Sequence, residues 1–106
     1  PADVQASLVH LSARSATEAV ARFAPKARGL WVCGGGSYNL QLMSLLASYL
    51  PKVAVSTTAS HGLPPLQVEA AAFAWLARQF ILGLPGNLPD VTGAKGLRIL
   101  GGLYPA

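Results

Sequence analysis

Leu30-Trp31-Val32-Cys33-Gly34-Gly35-Gly36-Ser37-Tyr38-Asn39 is the stretch on which the fold turns. Leu30 to Cys33 is a short apolar run of the kind that forms a buried strand. Three consecutive glycines stop it, and a new apolar-periodic segment, Leu40 to Leu50, follows with helical spacing. Strand, glycine turn and helix together let backbone come close to a phosphate or a ribose. No Cβ blocks the approach, and free N–H groups at a helix start favour an anion. A tight strand-to-helix turn with no ligand explains the same ten residues, and at this point both readings stand.

The segments on either side fit an α/β chain. Val4, Leu8, Leu11, Ala16, Ala19, Val20 and Phe23 recur at helical spacing, which predicts a first helix over Ala2–Phe23 with Asp3 at its positive end. Arg14, Glu18 and Arg22 form an i, i+4 row on its outside. Ala24-Pro25 ends it, and the first strand is expected over Gly29–Cys33. The second helix is expected over Asn39–Leu50, closed by Pro51, and the second strand over Val53–Thr57. Gly62, Pro64 and Pro65 mark a loop, with His61 exposed in it. A third helix, Pro65–Leu82, is apolar nearly all round and reads as buried on most sides. Gly83 to Pro89 reads as loop, with Asn87 a turn former. Leu97–Tyr104 reads as a last short strand or an extended tail. The order points to an α/β domain with a parallel strand pair and flanking helices.

Composition narrows the function classes. The 106 residues are 52% hydrophobic with a net charge of +4, and only Asp3, Glu18, Glu69 and Asp90 are acidic. So little charge makes a thin polar shell, which implies that part of the surface is meant to be covered. The eight basic residues are scattered, without a stripe or interleaved aromatics, so nucleic acid is not an expected partner. No apolar run approaches a membrane span. A lone cysteine, Cys33, excludes an intrachain disulfide and a cysteine-based zinc site and suits a reducing compartment. At the end of an apolar strand, Cys33 is expected to be a small buried hydrophobe.

Known site motifs do not fit the glycines. A dinucleotide fingerprint needs a third glycine where Asn39 stands, and an acid where the next strand ends in Ser56-Thr57. Gly93-Ala94-Lys95-Gly96 is not a P-loop, and Ser37 lacks the frame of a nucleophile elbow.

Several stretches read together do resemble a known family. Val32-Cys33-Gly34-Gly35-Gly36-Ser37-Tyr38-Asn39 resembles the adenosine-side motif of the sugar kinase/Hsp70/actin superfamily. Glu69-Ala70-Ala71-Ala72-Phe73-Ala74-Trp75-Leu76-Ala77, the run Pro85-Gly86-Asn87-Leu88-Pro89-Asp90-Val91-Thr92-Gly93-Ala94 and the tail Ile99-Leu100-Gly101-Gly102-Leu103-Tyr104-Pro105 are similar to the C-terminal end of the anhydro-N-acetylmuramic acid kinases. The resemblance implies a part of the second of two ribonuclease-H-like, actin-like ATPase domains, spanning residues 1–106. It also implies a cytoplasmic bacterial enzyme of peptidoglycan recycling. That enzyme would use ATP, with Mg²⁺ implied by kinase chemistry, to phosphorylate 1,6-anhydro-N-acetylmuramic acid. Water opens the anhydro ring in the same event, giving N-acetylmuramic acid 6-phosphate.

On that resemblance Gly34, Gly35 and Gly36 are nucleotide-side residues. Asn39 caps the second helix or faces the nucleotide. Glu69 heads the stripe of Phe73, Leu76 and Phe80, so it is expected to face the interior or a cleft and to contact the sugar. No catalytic residue and no metal ligand is expected in this chain. The missing parts belong to an N-terminal domain of the same protein. Surplus apolar surface is expected to pack on that domain or on a second copy, as a homodimer. The chain departs from the family pattern at Ala59 and Ser60, where an acidic pair is usual, and at Leu66, where an Asp is usual. Those losses leave open a non-catalytic nucleotide-binding or interaction module.

Overall fold

The computed structural model describes residues 1–105. They form an α/β chain in two compact units, one over Pro1–Val68 and one from Glu69 onward.

The first unit runs α1 (Ala2–Phe23), β1 (Gly29–Val32), a 3₁₀ turn (Gly35–Tyr38), α2 (Leu40–Tyr49) and β2 (Ala54–Thr57). Two more 3₁₀ turns, Thr58–His61 and Pro65–Gln67, close it. β1 and β2 pair in parallel, Gly29 opposite Ala54 and Val32 opposite Thr57, so α2 is the crossover of a β-α-β unit.

α1 packs on α2, though not through the large side chains whose spacing marks the helix. Val4, Leu8, Leu11 and Phe23 are exposed, whereas the covered row is Ala6, Val9, Ala13, Thr17 and Val20. Ala13 and Thr17 are the buried residues of α1, and Leu46 is that of α2. Small residues let two helix backbones approach closely, so the row with the least bulk becomes the contact. The Tyr49 hydroxyl and His10 Nδ1, hydrogen-bonded at 2.9 Å, join the same two helices. Arg14 and Glu18 pair at 3.6 Å on the solvent side, where such a pair contributes less than about 1 kcal/mol.

Alternation along β1 places Leu30 and Val32, both half-buried, on one face. Trp31, half-exposed, and Cys33, exposed, stand on the other. The expectation that Cys33 is buried is therefore wrong: apolar neighbours in sequence do not decide which face of a two-stranded sheet is covered. Trp31 meets the His61 ring edge to face at 4.5 Å.

The second unit holds α3 (Val68–Ile81, from Glu69), α4 (Pro89–Thr92) and an extended tail. α3 starts after the Pro65–Gln67 turn rather than at Pro65, and ends in a glycine cap. Gly83, at φ 64°, donates to the Phe80 carbonyl, and the Leu84 N–H reaches the Gln79 carbonyl at 2.8 Å. α3 is not buried on most sides: none of its residues is buried, and Phe73 and Ile81 are 63% and 81% exposed. Its periodicity records what the helix is suited to cover, not whether these residues contain the cover. Pro89–Thr92, expected partly as loop, is a helical turn with Pro89 at its first position and Gly93 past its end, at φ 71°. Leu97–Tyr104 forms no strand. Leu100 to Leu103 run past Phe73, Leu76 and Phe80 and leave an open apolar groove of about 490 Å³. Among the described residues no helix is long and apolar enough to cross a membrane.

Candidate functional site

The glycine turn lies at the carboxyl end of β1, where ligands of parallel α/β sheets bind. Its three glycines are not equivalent. Gly34 alone has positive φ, 74° with ψ −176°, a region nearly closed to residues with a side chain. It is also the hydrogen-bonded centre of the turn. Its N–H donates to the Pro65 carbonyl at 2.9 Å. Its carbonyl accepts from the Ser37 N–H at 3.1 Å and from Ser37 Oγ at 2.7 Å. Ser37 is buried.

Gly35 and Gly36 carry neither burden. Both are exposed and neither has positive φ. A Cβ on Gly35 would meet nothing within 4 Å, and one on Gly36 only Leu42 Cδ2 at 3.4 Å. Their N–H groups have no hydrogen-bond partner among the described residues. Folding of this unit thus explains Gly34 and gives no reason for the missing side chains of Gly35 and Gly36. Tyr38 ends the turn with 61% of its surface exposed.

Asn39 is the cap of α2: its Oδ1 accepts from the Leu42 N–H at 3.1 Å. It also borders a groove between the starts of α1 and α2, lined by Gln5, Val9 and Gln41 among others. Gly34, Gly35, Gly36 and Asn39 are thereby brought together in one turn. Glu69 opens the second unit. It is exposed, without an ion pair or side-chain hydrogen bond among the described residues. Of the two expectations for it, the interior or a cleft, the described residues provide no interior around it, and Phe73 on its stripe is itself exposed. The first turn of a helix suits a carboxylate through the helix dipole.

Sequence reasoning assigned Asn87 a turn role and missed a larger one. Its Nδ2 donates to the Gly96 carbonyl at 3.1 Å, and its Oδ1 accepts from the Arg98 N–H at 2.6 Å. With the Gly86 N–H donating to the Arg98 carbonyl at 2.9 Å, this side chain clamps the tail to the loop after α3. Its partners lie nine and eleven residues away, beyond any local pattern. The segment Thr58–Pro65, where the departures at Ala59 and Ser60 fall, is closed on itself: Ser60 Oγ donates to the Thr57 carbonyl at 2.8 Å and lies 3.2 Å from Ser56 Oγ. No group of three or more His, Cys, Asp or Glu able to hold a metal occurs among the described residues.

The family model for anhydro-N-acetylmuramic acid kinase matches residues 1–106, the whole chain. The chain belongs to the anhydro-N-acetylmuramic acid kinase family. Curated relatives of that name include one from Pseudomonas paraeruginosa, 51% identical over 104 residues, covering 98% of this chain. One from Xylella fastidiosa is 51% identical over 106 residues, covering 100% of it, and one from Cupriavidus pinatubonensis 55% over 105 residues, covering 99%. The chain spans 28% of the length of each of these relatives. A member of the anhydro-N-acetylmuramic acid kinase family thus presents, in this segment, a glycine turn whose second and third glycines are bare and unpartnered.

Proposed function

We propose that this chain is part of an anhydro-N-acetylmuramic acid kinase and supplies the adenosine side of its ATP cleft. The carrying observation is the family match over all 106 residues. Two open glycines with unpartnered N–H groups at the carboxyl end of β1 add a physical reason. The reaction is phosphoryl transfer from ATP to 1,6-anhydro-N-acetylmuramic acid, with water opening the anhydro ring to give N-acetylmuramic acid 6-phosphate. It serves cell-wall recycling in the bacterial cytoplasm. The β-α-β unit and α1 are then one portion of a ribonuclease-H-like domain, residues 1–106 lying late in the second of two.

Within that reading Gly34 shapes the turn, Gly35 and Gly36 let the nucleotide approach, and Asn39 holds the start of α2 beside it. Glu69 contacts the sugar, a role its exposure permits. Phosphoryl transfer depends on positioning and on neutralising charge at phosphate oxygens, a charge that Mg²⁺ would help to neutralise. The described residues do not fit Mg²⁺, since no acidic cluster occurs among them; its ligands, and the base that activates water, would come from elsewhere in the polypeptide. The segment alone is therefore inactive. The uncovered faces of α1 and α3 pack on the N-terminal domain or on a second copy in a homodimer.

A second reading, a non-catalytic nucleotide-binding or interaction module, draws on Ala59, Ser60 and Leu66, which stand where the resemblance to the family leads one to expect acidic residues. The test is ATP-dependent phosphorylation of the anhydro sugar by the full-length polypeptide and by residues 1–106. Turnover by the first and none by the second is expected. ATP binding without turnover in the full-length protein would favour the module. A Gly36→Val variant, which meets only Leu42 and needs no positive φ, should fold and bind ATP more weakly by calorimetry. An unchanged constant would reduce the glycines to a turn.

A further inference from the structure

We propose that the groove between the starts of α1 and α2 is the subsite for the base of the nucleotide, with the carboxamides of Gln5 and Gln41 reading the base's edge. The inference rests on the nucleotide reading above and names the part of that site which takes the base. The groove encloses about 660 Å³ and is lined by Gln5, Ala6, Leu8 and Val9 of α1 and by Asn39 and Gln41 at the start of α2. Sites for small molecules span roughly 300–1,000 Å³. The groove is joined to the glycine turn, because the Asn39 N–H donates to the Gly36 carbonyl at 3.0 Å. Its wall therefore begins one hydrogen bond away from the third glycine.

The lining selects among the parts of a nucleotide. No charged side chain lines the groove, so it offers no cation to a phosphate. Leu8 and Val9 supply apolar surface for the face of a ring. Gln5 and Gln41 each bring a donor and an acceptor on one planar group. The carboxamides hydrogen-bonded among the described residues are those of Asn39, Gln79 and Asn87, and neither Gln5 nor Gln41 is engaged. Asn39 is not a reader, since its Oδ1 is committed to the Leu42 N–H as the cap of α2. Two free carboxamides from different helices thus meet in one uncharged, partly apolar groove beside the glycine turn. A carboxamide matches adenine on two atoms at once, accepting from the exocyclic amino group and donating to the ring nitrogen N7.

The experiment measures Kd by calorimetry on the full-length polypeptide for three probes: ATP, inosine triphosphate and inorganic tripolyphosphate. Inosine triphosphate carries a carbonyl where adenine has its amino group, and tripolyphosphate has no base. Wild type is compared with Gln5→Met and Gln41→Met, which keep side-chain length and helix propensity and remove the amide. Loss of such a hydrogen bond corresponds to roughly three- to tenfold in affinity. ATP is expected to weaken by that factor in each variant, the preference for ATP over inosine triphosphate to shrink, and tripolyphosphate to bind all three proteins alike. ATP affinity unchanged in both variants overturns the proposal and leaves the nucleotide reading intact. Weakening of ATP and inosine triphosphate by the same factor, with tripolyphosphate untouched, puts the carboxamides on the ribose and also overturns it. Weakening of all three probes alike overturns it as well, because the residues would then be shaping the turn. A wild-type protein that binds no nucleotide removes the reading and this inference with it.

Discussion

Replacing Gly34 with Ala separates the glycine that the fold requires from those that it does not. A Cβ at position 34 would meet nothing within 4 Å, so the substitution causes no clash. Its cost is conformational: φ 74° with ψ −176° is a region populated almost solely by glycine, and holding a side-chain residue there costs about 1–3 kcal/mol. The backbone cannot relax freely, because the Gly34 N–H is tied to Pro65 and its carbonyl to both the N–H and Oγ of Ser37. Relaxation that broke one of these would cost about 1 kcal/mol apiece, so the two routes converge on the same range. Gly35→Ala is the control. It has open space and no positive φ, so its expected change lies between zero and a stabilisation of about 1 kcal/mol from a stiffer unfolded chain. Urea unfolding of both variants, followed by circular dichroism, reads the difference as a shift in midpoint at constant slope. Gly34→Ala should unfold clearly earlier and Gly35→Ala no earlier than the parent. Equal midpoints for the two, or a loss confined to Gly35→Ala, would refute the assignment of the strained position.

Asn87→Ala removes both bonds of the tail clamp and should cost about 2 kcal/mol locally. Trypsin should then cut after Lys95 or Arg98 faster than in the parent, and an unaltered rate would show that the tail is held by other contacts. Asn39→Ala should destabilise by about 1 kcal/mol through loss of the α2 cap, with Asn39→Asp largely restoring it; thermal melting reads both, and an Ala variant as stable as the parent would deny the cap any weight. Glu69→Gln should raise KM for the anhydro sugar while leaving KM for ATP near its starting value. Small, equal effects on both would assign Glu69 to the helix dipole alone.

Features governed by neighbouring residues were legible in the sequence. The apolar run to Val32, the glycine stop, the Asn39 cap and the apolar periodicities place β1, α2, β2 and the body of α1 and α3, because capping, turn formation and periodicity act over one to four residues. The family likeness was legible too, because a string such as Pro85-Gly86-Asn87-Leu88-Pro89 identifies relatives whatever its contacts are. Tertiary structure decided what depends on the other side of a contact. Ala13 and Thr17 rather than Leu8 and Leu11 face α2, since only the approach of the second helix selects the less bulky row. Cys33 is exposed, because the covered sheet face is the one bearing Leu30 and Val32. Gly34 is the strained glycine of an otherwise uniform triplet because its hydrogen bond to Pro65, thirty-one residues on, sets the backbone there. Asn87 became a clamp only when the chain brought Gly96 and Arg98 back to it.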